Sequence, residues 1–213
     1  MVQAGKQDDE AVPLKARLTA AARELLEREG DSALSLRAAA RACGVSHMAP
    51  YRHFASKDEL LAGVAEHGFH DLAAALDAAS AQKGAQSGVA VLPGLGVGIA
   101  YVEFACANPA LYRLMFGAQL APCERFPGLI AAGQAAFARC VAGARLLGFD
   151  CPMPEEGEAP PAIAAAIWAL VHGLSSLAID GLIALPEGGE ARTAFVGQVL
   201  IAAFSGPGLN KRA

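Results

Sequence analysis

The sequence predicts an all-α fold, with a three-helix helix-turn-helix unit at the N-terminus and a larger helical bundle behind it, about nine helices in total. Three observations predict it. Apolar residues recur at helical spacing through most of the chain. Alanine is abundant and β-branched runs are few, which favours helix over sheet. Helix-capping residues, glycines and prolines punctuate the periodic stretches. Hydrophobic residues make up 54% of the chain, enough for a sizeable core.

Residues 1–12 are polar and are expected to form a flexible tail. Pro13 then opens a helix, where its missing N–H is harmless, and Leu14, Leu18, Ala21, Ala22, Leu25 and Leu26 share one face up to Gly30. Ser35 is placed to cap a short second helix with Leu36, Ala39, Ala40 and Cys43 inward, and Gly44 stops it. Ser46 is expected to cap a third helix reaching about Phe54. Pro50 falls in its first turn, where one lost bond predicts a kink rather than a break. Ser56-Lys57-Asp58-Glu59 has capping-box form and begins a fourth helix with Leu60, Val64, Gly68, Leu72 and Leu76 on one stripe.

Residues 81–92 read as a connector, followed by helices over 91–106 and 110–116 that Asn108-Pro109 separates. Pro122 and Pro127 bracket a loop, and a long helix covers 129–147. A Pro/Glu loop at 149–161 precedes an apolar helix over 162–185, and a final helix runs over 192–204. The expected domains are 13–62 for the helix-turn-helix and 63–213 for the bundle.

The net charge is −4, but it is unevenly distributed. From Leu14 to Lys57 eight basic residues face four acidic ones, a net +4, while the remainder from Asp58 is net −6. A locally basic module on an acidic body suits a polyanion-binding end. The five cysteines (Cys43, Cys106, Cys123, Cys140, Cys151) form no CxxC pair and read as small core residues in a reducing cytoplasm. The start, MVQAGKQDDE, has no apolar h-region, so no secretory signal is expected. The uncharged stretch 159–179 is long enough to span a membrane, but it begins with two prolines, carries His172, Ser175 and Ser176, and lacks basic flanks, so no membrane is expected. The chain carries no catalytic motif, and no cofactor is called for. His67 and His70, beside Glu66 and Asp71, read as a solvated helix face rather than a metal site.

Spacing alone leaves the N-terminal unit open between a DNA-binding helix-turn-helix and a generic small bundle. The run Gly44-Val45-Ser46-His47-Met48-Ala49-Pro50-Tyr51-Arg52-His53-Phe54-Ala55-Ser56-Lys57-Asp58-Glu59-Leu60-Leu61 resembles the recognition region of the TetR/AcrR family of transcription regulators, a likeness covering roughly residues 14–62. Trp168-Ala169-Leu170-Val171-His172-Gly173 resembles the tryptophan-x-x-x-histidine-glycine signature of one C-terminal class in that family. The resemblance implies a homodimer that binds a palindromic operator on double-stranded DNA, pairs through its last two helices, and is a repressor released by a small hydrophobic effector. A helix laid in the major groove presents its N-terminal residues to base edges, here His47, Met48 and Ala49, with Ser46 near phosphate. The family's backbone contacts fall on Tyr51, His53 and Lys57, and Arg37 matches a position that reaches a base or phosphate. Effector-pocket candidates are Tyr101, Phe104, Tyr112, Met115, Phe116, Phe137, Trp168 and His172, with His172 equally able to hydrogen-bond inside the bundle. The competing reading is an all-helical small-molecule-binding or scaffold protein that reads no operator.

Overall fold

A computed structural model of the 213-residue chain describes residues 12–81, 94–155 and 158–204. The described residues form eight α-helices and four short 3-10 turns, with no strand. The helices are α1 (Leu14–Glu29), α2 (Leu36–Ala42), α3 (Lys57–Ala81), α4 (Leu95–Ala107), α5 (Pro109–Phe116), α6 (Pro127–Leu146), α7 (Ala162–Ile179) and α8 (Gly189–Phe204). The expected tail at 1–12 and connector at 81–92 lie almost wholly outside the described residues.

Chain contacts divide the protein into two units. The first holds residues up to Gly68 together with Ala110–Ala131, and the second holds Phe69–Pro109 and Ala132 onward. These units group residues 110–131 with the N-terminal residues, a grouping that cuts across the linear boundary expected at residue 62.

In the first unit, α1 presents Leu18, Ala22, Leu25 and Leu26 to the core and packs on α2 through Leu36, Ala39 and Ala40. Each of these apolar side chains contributes about 1–3 kcal/mol by leaving water, scaled by its size. Ser35 caps α2, its hydroxyl accepting the Ala38 N–H at 3.1 Å. Gly44, at φ +68°, ends it: Gly44 N–H donates to Arg41 O and Val45 N–H to Ala40 O, a Schellman closure. The α3 capping box forms with a shift of one residue. Glu59 N–H donates to Ser56 Oγ at 3.2 Å, and the Glu59 carboxylate accepts from Ala55 N–H at 2.6 Å. Segment 110–131 joins this unit through α5, whose Leu111, Leu114 and Met115 are buried. Glu27 on α1 accepts the otherwise unpaired Leu111 N–H in the first turn of α5, at 2.9 Å. Gly68 leaves room for the Leu111 and Met115 side chains.

In the second unit, α4 packs against both α7 and α8. Gly98 lets Leu200 and Val171 approach α4, and Gly197 faces Leu95 and Ile99. A core of Val141, Ala144, Cys151, Ala164 and Ile167 is flanked by Phe137, Leu147, Phe149, Ile163 and Phe204. The expected helix over 162–185 stops at Ile179. Gly181 at φ +71° turns the chain, and Leu182 N–H donates back to Leu177 O at 2.9 Å. The apolar residues Leu182–Leu185 follow the turn instead of extending the helix. The last helix begins at Gly189, one turn before the expected Arg192.

Candidate functional site

The segment expected to meet DNA lies between α2 and α3 in the first unit. Its winding corrects the sequence reading. No α-helix caps on Ser46. Ser46 O accepts the Ala49 N–H at 3.0 Å, and Ala49–Arg52 winds as a single 3-10 turn with Met48 at its N-cap and no side-chain cap. The cause is Pro50. It stands four residues after Ser46 and has no N–H, so the Ser46 carbonyl takes the donor three residues on. The turn closes with His53 N–H and Phe54 N–H both donating to Pro50 O.

Two buried residues fix this segment to the scaffold. Pro50 is buried against α2, and Phe54 is 3% exposed. The Phe54 ring lies 3.4 Å from where a Cβ on Gly63 would stand, and Lys15 sits over its face at 5.8 Å. Arg17 of α1 donates to Cys43 O at 3.0 Å, tying the end of α2 in place just before the segment begins.

Between these anchors the predicted contact residues face outward. Ser46, His47, Met48, Tyr51 and His53 are exposed, Ala49 is half-buried, and Arg37 is exposed on α2. Met48 and Tyr51 are 59% and 45% exposed, among the most exposed large hydrophobic side chains of the protein. Tyr51 is therefore not a core aromatic, whereas Phe54 is. Lys57, at the first turn of α3, is half-buried, and its ammonium donates to Asp31 O at 3.0 Å and pairs with the Asp31 carboxylate at 3.1 Å. The arrangement can place apolar and hydrogen-bonding side chains against base edges while cations and a capped helix start meet phosphates.

The effector-pocket candidates are shared between the two units. Tyr112, Met115 and Phe116 lie on α5 in the first unit, where the Tyr112 and Phe116 rings contact at 4.8 Å. The second unit holds Tyr101, Phe104, Phe137, Trp168 and His172. Four of these form a connected network. The indole N–H of Trp168 donates to the Tyr101 hydroxyl oxygen at 3.2 Å, and the Tyr101 hydroxyl lies 3.3 Å from His172 Nδ1. Indole nitrogen only donates, so the Tyr101 oxygen accepts from Trp168, while its contact with His172 Nδ1 runs in the direction that the histidine tautomer sets. Phe137 packs edge-on against Trp168 at 5.4 Å. Phe104 is buried on α4.

A small apolar cavity of about 20 Å³ lies elsewhere in the same unit. Gly94, Gly98, Gly143, Cys140, Val171 and Leu200 are among its walls, and none of the eight candidates is. That space admits about one water, far below the several hundred Å³ of a ligand site. On the α4–α8 side, Arg192 and Glu103 approach only to 3.7 Å, and Arg192 Nε and Glu103 Oε1 are buried without a hydrogen-bond partner among the described residues.

Burial holds His172 below its ordinary pKa of 6.5. The unfolded chain then binds more protons than the folded one as pH drops below that value, so stability is complete above about 6.5 and declines as pH falls. We expect the melting temperature to drop between about pH 7.5 and pH 5, and His172→Asn, which keeps an acceptor near Nδ1, to flatten part of that drop. Calorimetry across pH checks this; an identical profile in the variant contradicts it.

The cysteines divide. Cys140 and Cys151 are core residues, and burial pushes the Cys140 thiol up to about 12, leaving it protonated and unreactive. Cys123 is exposed, against the expectation that all five are buried. His67 and His70 are both exposed on α3.

Comparison with known proteins decides the family. Residues 18–64 match the family described as bacterial regulatory proteins, tetR family, and residues 95–200 match the tetracyclin repressor-like C-terminal domain. The chain belongs to the TetR family. An HTH-type transcriptional regulator of Mycobacterium tuberculosis is 32% identical over 129 residues, which is 59% of this chain and 54% of that protein. The chain thus spans about half the length of the curated relatives it matches. A protein of unknown function from Rhodococcus sp. RHA1 superposes with a TM-score of 0.69 at 30% identity, covering 94% of this chain and 98% of the other. A tetR-family bacterial regulatory protein from Rhodococcus RHA1 shares the fold with a TM-score of 0.58 at 22% identity, covering 89% and 96%.

Asp31 and Glu27 escaped the sequence reading. Each acts through a partner far along the chain, and neither carries a local motif.

Proposed function

We propose that this TetR-family protein is a DNA-binding transcriptional regulator that reads a palindromic operator as a homodimer and represses until a small hydrophobic effector binds. The single observation carrying the DNA reading is the exposure of His47, Met48, Tyr51 and His53 beside half-buried Ala49, on a segment anchored by buried Pro50 within it and Phe54 at its end, in a region of net positive charge. Large apolar side chains left in water beside cations fit a surface completed by nucleic acid. One such short segment reads few base pairs, so a two-fold pair is the economical way to gain specificity.

Support for the dimer comes from α7. It carries no charged residue, its mean hydropathy is 1.9, and only 28% of it is buried within the chain. Ala162, Ala166, Ala169 and Leu177 lie exposed on it, with Leu182 and Ile201 of the following turn and of α8. Small residues at helical spacing allow a second copy's α7 and α8 to approach closely, as in a four-helix bundle. A membrane would also cover such a helix, but α7 lies inside the segment matching the family's C-terminal domain, and a cytoplasmic location fits.

For the effector, the second unit offers an apolar interior with one organised polar network at Tyr101, Trp168 and His172. Effector binding in this unit would favour a state in which the two DNA-reading segments no longer match successive major grooves.

A gel shift on the DNA upstream of the protein's own gene, at stated salt, tests the reading. Tight, sequence-preferring and salt-sensitive binding supports it. Tyr51→Ala and Lys57→Ala each weaken binding roughly tenfold while the dimer persists in sedimentation. Absence of any sequence preference favours the scaffold reading, and dimer loss in both variants would refute the residue assignment.

A further inference from the structure

We propose that Asp31 limits the strength of DNA binding by competing with a DNA phosphate for the Lys57 ammonium. This rests on the reading of Lys57 as a backbone contact. The pair is tertiary: Asp31 begins the 3-10 turn after α1, and Lys57 begins α3, twenty-six positions on. An ammonium has three N–H donors. Here one goes to the Asp31 carbonyl at 3.0 Å and another faces the Asp31 carboxylate at 3.1 Å. One donor remains for a phosphate, and the carboxylate offsets part of the charge that phosphate would meet.

The two halves of this contact do different work. The carbonyl bond is a backbone bond and orients Lys57 whatever side chain stands at position 31. The carboxylate opposes binding, because it either stays beside an incoming phosphate or must release Lys57 to it. Both side chains keep much of their surface in water, 39% for Lys57 and 48% for Asp31, so the ion pair is weak enough for a phosphate to displace. The neighbouring Glu59 carboxylate is engaged by the Ala55 N–H. Asp31 is therefore the acid whose charge acts on this lysine directly, and it sets affinity without touching DNA.

Asp31→Asn separates the two roles, since it keeps size and the carbonyl bond and removes only the charge. Fluorescence anisotropy of a labelled duplex, titrated with full-length protein over a range of salt, reads the effect; phosphate contacts are sequence-independent, so any duplex reports it. Asp31→Asn is expected to tighten binding roughly three- to fivefold at low salt and to steepen the salt dependence by up to about one phosphate's worth. In a Lys57→Ala background the same substitution is expected to do nothing, because its effect runs through that lysine. Unchanged or weaker binding by Asp31→Asn, with Lys57→Ala weakening as expected, overturns the proposal and leaves Lys57 its role. Equal tightening in both backgrounds also overturns it, assigning Asp31 to the general field. If Lys57→Ala alone changes nothing, the backbone-contact reading falls first.

Discussion

Ala169→Glu combined with Leu177→Glu converts the protein to a monomer and lowers operator affinity at least about a hundredfold. Both residues are exposed on α7, so carboxylates there can reach water within one chain and leave its fold intact. Across a two-fold axis the same carboxylates face their own copies in an apolar seam, where unpaired charge is costly to desolvate. Loss of the pair leaves one reading segment per molecule, and affinity falls from the specific toward the non-specific range. Sedimentation and anisotropy on the same samples check both halves. A variant that stays dimeric places the interface elsewhere, and a monomer that keeps full affinity removes the need for a palindrome.

Gly94→Ala destabilises the second unit by about 3 kcal/mol or more, whereas Gly148→Ala costs about 1 kcal/mol. Both glycines have positive φ, +94° and +86°, so both substitutions carry a conformational penalty. They differ in surroundings. A Cβ on Gly148 meets open space, while one on Gly94 falls on the Gly143 carbonyl oxygen and comes within 2.9 Å of Leu147 Cγ. The start of α4 cannot retreat without opening its contacts with α7 and α8. For a chain of this size the difference corresponds to roughly 4–8 °C in melting temperature, readable by calorimetry. Equal losses at the two positions would mean that α4 and α6 are not so closely packed.

The parts of this structure that were legible in the sequence are the local ones. Ser35, Gly44 and Ser56 with Glu59 announce helix ends because a cap is made within four residues of itself. The exposed residues between α2 and α3 were legible for the same reason, since a motif of consecutive residues carried them. Pro50 does more than the expected kink: its missing N–H leaves a 3-10 turn over Ala49–Arg52 in place of an α-helix. Gly181 was passed over because Leu182–Leu185 continue an apolar pattern while the backbone has already turned.

What could not be read depends on tertiary packing. Lys57 with Asp31, Glu27 with the Leu111 N–H, and Tyr101 with Trp168 and His172 join positions 26 to 84 residues apart. The apolar cavity lies where glycines at 94, 98 and 143 withhold side chains, and an absence of atoms has no sequence periodicity.

Hydroxyl-radical footprinting of the full-length protein on the DNA upstream of its own gene tests most directly whether paired turns around Tyr51 read that DNA. The account predicts two short protected patches on one face of the duplex, related by a dyad and centred about one helical turn or a multiple of it apart, both fading together in Tyr51→Ala. Uniform protection, or none from a folded dimer, would contradict it.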